Sequence, residues 1–137
     1  MKLSKKMAKF VKIIVENNEN LLIRKFISLF KEKIRKNRKD RFSFVLTGGS
    51  SPVKLYKKIS KTKNINWRKI DFFISDERHV KENSKNSNIK MCKKHLLSKI
   101  KILNNQIYKI STNNKSIEES AIDYEKKIKK YFLNKKI

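Results

Sequence analysis

The chain has 137 residues, of which 37 are Lys or Arg and 12 are Asp or Glu, so its formal net charge at pH 7 is +25. A hydrophobic share of 38% is low but sufficient for one core, and we expect residues 1–137 to belong to a single domain. One cysteine excludes an internal disulfide framework, and no apolar run is long enough to predict a membrane partner. The lone thiol, without a secretory leader pattern, predicts a cytoplasmic location.

The high positive charge raises the question of a nucleic-acid partner. The lysines are spread over every segment and accompany many Ile and Asn residues, with few Gly and Pro, which is the residue set of AT-rich codons. Compositional drift of the genome explains this pattern simply, so no specific nucleic acid is expected as a partner. A basic nucleic-acid-binding protein stays open as an alternative function.

Apolar spacing predicts strands and helices in alternation along the chain. In order, they are a short strand at 10–15, a helix at 21–34, strands at 42–46 and 70–75 separated by a helix at 53–59, a helix from 87 or 88 to about 100, a strand at 107–110, and a helix at 116–133. Asn20 is predicted to cap the first helix, and Ser116 with Glu119 has the capping-box pattern for the last. Alternation of this kind predicts an α/β fold, a Rossmann-like three-layer parallel sheet with helices on both faces.

A glycine turn follows the strand at 42–46, and it contains both glycines of the chain, Gly48 and Gly49. Pro52 suits the first turn of the next helix, and either Ser50 or Ser51 is a candidate N-cap. Such a turn directs backbone N–H groups, hydroxyls and the positive end of a helix dipole towards one point, which suits a phosphate or carboxylate. The alternative is an ordinary tight connection between a strand and a helix.

The next strand runs directly into Asp76, Glu77 and Arg78. Right-handed crossovers place the ends of both strands at the carboxyl edge of the sheet, where such sheets bind ligands. Arg78 can hold a phosphate or polarise a carbonyl, while Asp76 and Glu77 can orient the guanidinium or anchor nearby backbone. The alternative is an ion-pair cluster that binds no ligand.

Other reactive side chains give no separate site. The two histidines and the cysteine have no close spacing, so no metal site is predicted. His79 follows Arg78 without a partner nucleophile and is interpreted as a solvated loop residue. Cys92 falls in a predicted helix and is interpreted as a packed thiol.

Several ordered motifs resemble the 6-phosphogluconolactonase family, within the glucosamine-6-phosphate isomerase/6-phosphogluconolactonase superfamily. The turn at 46–52 resembles the (S/A)GGSTP turn, 66–73 the DW-x-x-(V/I)-x-x-F run, 76–80 the DER-x-VP signature, 87–88 the SN dipeptide, and 121–125 the segment before the active-site histidine. The resemblance covers about residues 10–133. It implies hydrolysis of 6-phosphoglucono-δ-lactone to 6-phosphogluconate, in the pentose phosphate pathway, without a metal or organic cofactor.

The resemblance also assigns roles to individual residues. It implies that Arg78 and Asp76 are the catalytic residues. Arg78 would meet the anionic or carbonyl oxygens of the sugar-phosphate lactone, Asp76 would brace the site, and Asn88 would order the loop beside it. The implied substrate-binding residues are Gly48, Gly49, Ser50, Ser51, Arg78 and Asn88.

The sequence departs from the family pattern at Ser51, which replaces Thr, and at Lys81, which replaces Pro. The family's general-base histidine lies in a G-x-G-x-DGH segment for which this chain has no counterpart, so the resemblance covers only the amino-terminal part of the family's domain. We therefore expect impaired hydrolysis and an open sheet edge, covered by a second chain or by self-association. A glucosamine-6-phosphate deaminase/isomerase is the alternative of the same fold, but those enzymes usually have a DEY-type run where Arg78 stands here.

Overall fold

The computed structural model describes residues 13–37, 41–113 and 116–133. Its main elements, in chain order, are α1 (Glu19–Lys36), β1 (Phe42–Leu46), α2 (Val53–Ile59), β2 (Ile70–Ile74), α3 (Asn88–His95), β3 (Ile107–Tyr108) and α4 (Ile117–Leu133). Single 3-10 turns occur at Trp67–Lys69, Leu97–Lys99 and Asn104–Gln106.

The three strands form one parallel sheet in the order β1-β2-β3. Phe42 pairs with Ile70 and Leu46 with Ile74, so β1 and β2 are in register over their whole length. Every residue of β2 is buried, because this strand lies between two neighbours and is covered on both faces.

One face of the sheet packs against α1, α2 and α3. Phe72 of β2 is fully buried in a core cluster that takes side chains from all three helices. Phe30 of α1 packs against Phe44 of β1, with ring centroids 4.7 Å apart, and against Phe42 at 5.6 Å. Trp67 lies against Phe30 and Phe72, both at 6.3 Å, and is therefore a packing residue.

The opposite face packs against α4, because successive strand residues point to opposite sides. Phe73 stacks on Tyr108 of β3 at 4.5 Å and meets Tyr131 of α4 edge-on at 4.9 Å. The buried Asp71 accepts hydrogen bonds from Arg41 Nε at 2.6 Å, Arg41 Nη2 at 2.7 Å and the Tyr131 hydroxyl at 2.7 Å. The predicted parallel sheet with helices on both faces is confirmed.

Several predicted boundaries differ from the structure. Residues 13–15 form no strand, and the rest of the predicted strand at 10–15 lies outside the described residues. Asn18, not Asn20, caps α1, and its Oδ1 accepts a hydrogen bond from Leu21 N at 3.0 Å. The helix predicted to reach residue 100 ends at His95, because the chain changes to a 3-10 turn at Leu97–Lys99.

The last helix begins where its capping box predicts. Ser116 Oγ accepts a hydrogen bond from Glu119 N at 3.1 Å, and Glu119 Oε2 accepts one from Ser116 N at 2.9 Å. Within α4, Tyr124 is buried as predicted, whereas Ile117 is 64% exposed although helical spacing places it with the apolar set. No helix within the described ranges is both long and apolar enough to cross a membrane.

Candidate functional site

The carboxyl ends of β1 and β2 lie side by side. Ser75 N donates a hydrogen bond to Leu46 O at 2.8 Å, which holds the two strand exits together just before they diverge. Beyond this bond, the Asn88 side chain lies directly against Gly48. A Cβ on Gly48 would be 2.0 Å from Asn88 Oδ1 and 2.1 Å from Asn88 Cγ, so only glycine fits there. The glycine turn and the start of α3 are therefore in contact.

Asn88 is the side chain that joins the two strand exits. It is 2% exposed, and its Nδ2 donates to Asp76 O and Asp76 Oδ2, both at 3.0 Å. Its Oδ1 accepts a hydrogen bond from Arg78 Nη1 at 2.7 Å. Four of the sequence-predicted site residues, Gly48, Asp76, Arg78 and Asn88, are thus linked by direct contacts. Asp76 Oδ1 also accepts from the Ser75 hydroxyl at 2.6 Å, so both carboxylate oxygens of Asp76 are held.

Glu77 anchors the backbone at the start of α3. Its carboxylate accepts hydrogen bonds from Asn88 N at 2.6 Å, Ile89 N at 2.8 Å and the Ser87 hydroxyl at 3.2 Å, and from Arg78 N at 2.9 Å. A carboxylate at a helix N-terminus is also favoured by the helix dipole. Of the two roles left open for Glu77 by the sequence, backbone anchoring is the one found.

The Arg78 guanidinium is hydrogen-bonded through one of its three nitrogens. Its Nη1 donates to Asn86 O at 2.9 Å as well as to Asn88 Oδ1. Its Nε and Nη2 form no hydrogen bond or ion pair with any described residue, and the residue is exposed. Two nitrogens of the guanidinium, Nε and Nη2, are therefore without an acceptor among the described residues, and a guanidinium can bind an oxyanion through such N–H groups.

The remaining turn residues lie next to Gly48 on the exposed rim. Gly49 has a φ of +87° with open space at its Cβ position, so this glycine is needed for backbone conformation. The prediction that Ser50 or Ser51 caps α2 is wrong, because Pro52 occupies the cap position and no side chain caps the helix. Both serine hydroxyls are exposed and make no hydrogen bond within the described ranges.

Tyr56 is a site-supporting residue that the sequence does not reveal. Its hydroxyl donates to Thr47 O at 2.9 Å and accepts from Thr47 N at 3.0 Å, which fixes the backbone just before Gly48. Burial raises the pKa of this phenol to about 12. Only the apolar spacing of α2 marks Tyr56 in the sequence, and spacing predicts packing without predicting the hydrogen bonds.

The cysteine and the two histidines form no hydrogen bond with the Asn88 side chain. Cys92 is fully buried, and burial raises the pKa of its thiol to about 12, which agrees with a packed thiol. His79 is exposed beside Arg78, whereas His95 is half-buried at the end of α3. The described residues contain no group of three or more His, Cys, Asp or Glu side chains arranged to hold a metal ion.

Known proteins resemble most of this chain. The family model described as glucosamine-6-phosphate isomerases/6-phosphogluconolactonase matches residues 17–136. A 6-phosphogluconolactonase of Thermotoga maritima is 33% identical over 110 residues, which cover 76% of this chain and 49% of the relative. The chloroplastic 6-phosphogluconolactonase 3 of Arabidopsis thaliana is 35% identical over 116 residues, which cover 82% of this chain and 35% of the relative. The chain thus spans at most about half the length of these curated relatives.

Solved structures give the same result. The crystal structure of the Thermotoga maritima 6-phosphogluconolactonase matches with a TM-score of 0.74 at 28% identity, covering 88% of this chain and 53% of the other. A monomeric glucosamine-6-phosphate deaminase matches with a TM-score of 0.77 at 16% identity, covering 88% of this chain and 51% of the other, and this likeness concerns the fold alone. The named relatives favour the lactonase over the deaminase and nucleic-acid alternatives. The chain belongs to the glucosamine-6-phosphate isomerase/6-phosphogluconolactonase family.

Proposed function

We propose that this chain forms the substrate-holding part of a 6-phosphogluconolactonase, and that its carboxyl sheet edge binds 6-phosphoglucono-δ-lactone. The observation that carries the proposal is the contact of one buried side chain, Asn88, with both Gly48 and Arg78. This contact supports a single site made from two strand exits. A cytoplasmic location is part of the proposal and is supported by the buried, unpaired Cys92.

The reaction defines what each group would do. Water adds to the lactone carbonyl carbon, the bond from that carbon to the ring oxygen breaks, and the products are a carboxylate, a free hydroxyl and a proton. The unused N–H groups of Arg78 would stabilise the oxyanion that develops on the carbonyl oxygen, or hold an anionic oxygen of the substrate. Gly48, Gly49, Ser50 and Ser51 would line the substrate with backbone N–H groups and hydroxyls.

Asp76 would brace the site and not abstract a proton. Its two oxygens already accept hydrogen bonds from Ser75 and Asn88, and through Asn88 it sets the position of Arg78. Neither His79 nor His95 corresponds to the family's general base. We propose that this base comes from polypeptide outside the described residues. The 137-residue chain alone should therefore bind the sugar phosphate but hydrolyse the lactone slowly or not at all. Loss of a general base typically lowers a rate by about 10²–10⁴-fold.

Binding of 6-phosphogluconate, measured by isothermal titration calorimetry, tests the proposal directly. Replacing Arg78 with Gln should weaken binding by roughly 10–100-fold, because a charge-assisted hydrogen bond is worth about 1.5–3 kcal/mol. Arg68→Gln is the matched control, since Arg68 is also an exposed arginine but lies at the amino end of β2. Equal affinities of the two variants would contradict the proposed site, as would equal binding of gluconate, which has no phosphate.

The outer edge of β1 is a second feature of the proposal. Among the described residues, β1 pairs only with β2, and Val45 on the α4 side of β1 is 59% exposed. The helix α4 lies on the face opposite α2 and α3, so a right-handed crossover from α4 would add the next parallel strand beside β1. We propose that a strand from a second chain or a second copy covers this edge.

Sedimentation velocity of the purified 137-residue chain tests the edge. A concentration-dependent dimer that is lost on Val45→Lys would support self-association. A monomer at all concentrations that melts cooperatively and gains no stability from the carboxyl-terminal half of a family member would contradict the proposal.

A further inference from the structure

We propose that the chain has a second anion site, at the opposite end of the sheet, that binds a small molecule with two or more phosphate groups. The site is a cleft of about 820 Å³ between α1 and the segment 62–69, and we call it the α1 cleft. Its volume lies within the range of about 300–1,000 Å³ that is typical of small-molecule sites.

Four cations line the α1 cleft: Arg24, Lys31, Arg35 and Lys69. The first three share one face of α1, because their spacing of seven and then four residues brings each onto the same side of the helix. None of the four forms an ion pair with a described residue. The one carboxylate in the cleft, Glu32, is bound at 2.5 Å by Lys36. Arg35 also interacts electrostatically with Glu32, so the four cations face one carboxylate. A cleft with such an excess of one sign of charge concentrates its field and attracts anions.

This lack of compensation sets the α1 cleft apart from other cationic parts of the molecule. Glu82 forms ion pairs with both Lys93 and Lys109 beside the loop at 79–83. Asp71 neutralises Arg41 below the sheet. Despite the general excess of lysine, cations in these other regions form ion pairs with carboxylates. The four cations of the α1 cleft do not form such pairs with the described residues.

The α1 cleft is separate from the site around Arg78. Asn37, which lines the cleft, precedes β1, and Asn66 and Lys69 directly precede β2, so the cleft lies at the amino edge of the sheet. Gly48 and Arg78 lie at the carboxyl edge. Five-residue strands separate the two ends by about 16 Å, so one small ligand would not occupy both.

The lining also indicates the kind of ligand. Arg24 and Arg35 are eleven residues apart on α1, which is about 16 Å along the helix axis, more than a single phosphate spans. The side-chain amides of Asn64 and Asn66 and the Thr62 hydroxyl add hydrogen-bonding groups on the facing wall. A compact polyphosphate can reach several of these groups at once, whereas a single phosphate or sulfate cannot.

Titration calorimetry with inorganic tripolyphosphate, at about 0.15 M ionic strength, tests the site on the full chain. We expect the triple variant Arg24→Gln, Lys31→Gln and Arg35→Gln to weaken binding by roughly tenfold or more. The control triple variant Lys58→Gln, Lys126→Gln and Lys130→Gln removes the same charge from exposed helix positions and should weaken it less than about twofold. Because Arg78 belongs to the other proposed anion site, Arg78→Gln should weaken tripolyphosphate binding less than the α1 triple variant does.

Equal weakening by the two triple variants would overturn the proposal, because net charge alone would then explain binding. Weakening by Arg78→Gln that equals or exceeds that of the α1 triple variant would assign the anion to the carboxyl edge instead. A single-stranded oligonucleotide that binds tightly, displaces tripolyphosphate and is itself weakened by the α1 triple variant would assign the cleft to a nucleic acid and would also overturn the proposal. Amide shifts in NMR spectra of the unmodified chain give an independent measurement: tripolyphosphate should shift the signals of Asn64 and Asn66 at lower concentration than those of Gly48 and Gly49.

Discussion

Replacing Gly48 with Ala should destabilise the chain more than replacing Gly49 with Ala, although only Gly49 has a positive φ. A Cβ at position 48 would lie 2.0 Å from Asn88 Oδ1, 2.1 Å from Cγ and 2.6 Å from Nδ2. All three distances are far inside van der Waals contact, so the Asn88 side chain must leave its place. At position 49 the added Cβ meets nothing within 4 Å.

The magnitude follows from what Asn88 loses when it moves. Its side chain makes three hydrogen bonds, to Asp76 O, Asp76 Oδ2 and Arg78 Nη1, in a buried position. At about 1 kcal/mol for each bond, Gly48→Ala should lower the free energy of unfolding by ~3 kcal/mol. Gly49→Ala introduces only a left-handed backbone strain of about 1–2 kcal/mol.

Urea denaturation of both single variants, together with Asn88→Ala and the double variant, checks this reasoning. Asn88→Ala should lower the free energy of unfolding by ~3 kcal/mol, because the same hydrogen bonds are lost. In the Asn88→Ala background the methyl group at position 48 has room, so Gly48→Ala should then add less than about 1 kcal/mol. The two substitutions are therefore expected to be strongly non-additive.

Additive effects of Gly48→Ala and Asn88→Ala would refute the reasoning, because they would show that Gly48 is needed for something other than space for Asn88. A larger effect at Gly49 than at Gly48 would refute it as well. Binding of 6-phosphogluconate supplies a second readout, and Gly48→Ala should weaken it because Arg78 loses its contact with Asn88.

Other predictions concern the supports of the site and of the sheet. Glu77→Gln should destabilise α3 by ~2 kcal/mol in urea titrations, since an amide cannot accept all four hydrogen bonds of the carboxylate, and a change below about 0.5 kcal/mol would contradict this. Asp71→Asn should lower the free energy of unfolding by about 2–3 kcal/mol, because it leaves part-buried donors without their carboxylate, and a neutral effect would argue against the buried pair. Burial and a pKa of about 12 should make Cys92 react with a thiol reagent at pH 8 only after unfolding, so labelling as fast as that of a free thiol would disprove its packing. Hydrogen bonds from Lys109 and Lys93 lower the pKa of Glu82, so its ion pairs stabilise the folded chain fully above pH 4.5, the ordinary value. This contribution to the free energy of unfolding should be lost as the pH falls through the lowered pKa. Glu82→Gln should therefore flatten the dependence of unfolding free energy on pH in that range.

Much of the fold could be predicted because its signals are local. The β1 and α2 spans, 42–46 and 53–59, agree with the structure at both ends, since an apolar run, a glycine turn and a proline mark them. The capping box at Ser116 fixes the start of α4 for the same reason. Side-chain periodicity was less reliable near the ends of helices, where Ile117, the first residue of α4, is 64% exposed.

The contacts of the site were harder to predict because its partners are distant in sequence. Gly48 and Asn88 are forty residues apart, and the space that one leaves for the other becomes visible only when the strands are in register. The same holds for Tyr56, whose spacing predicts a core residue and whose hydroxyl nevertheless holds Thr47. Conversely, the serine caps expected before α2 failed because Pro52 itself takes the cap position.

The Asp76-Glu77-Arg78 run divides its charges in a way that an ion-pair cluster would not. Glu77 is occupied by four donors at the start of α3, and Asp76 by Ser75 and Asn88, so neither carboxylate forms an ion pair with Arg78. The guanidinium is positioned through the neutral amide of Asn88 and makes no direct ion pair with a described residue. Because both carboxylates accept hydrogen bonds from other donors, neither occupies Nε or Nη2 of Arg78, and both nitrogens stay available to a ligand. The arrangement therefore favours an anionic ligand at Arg78 over the ligand-free cluster that the same three residues also allow.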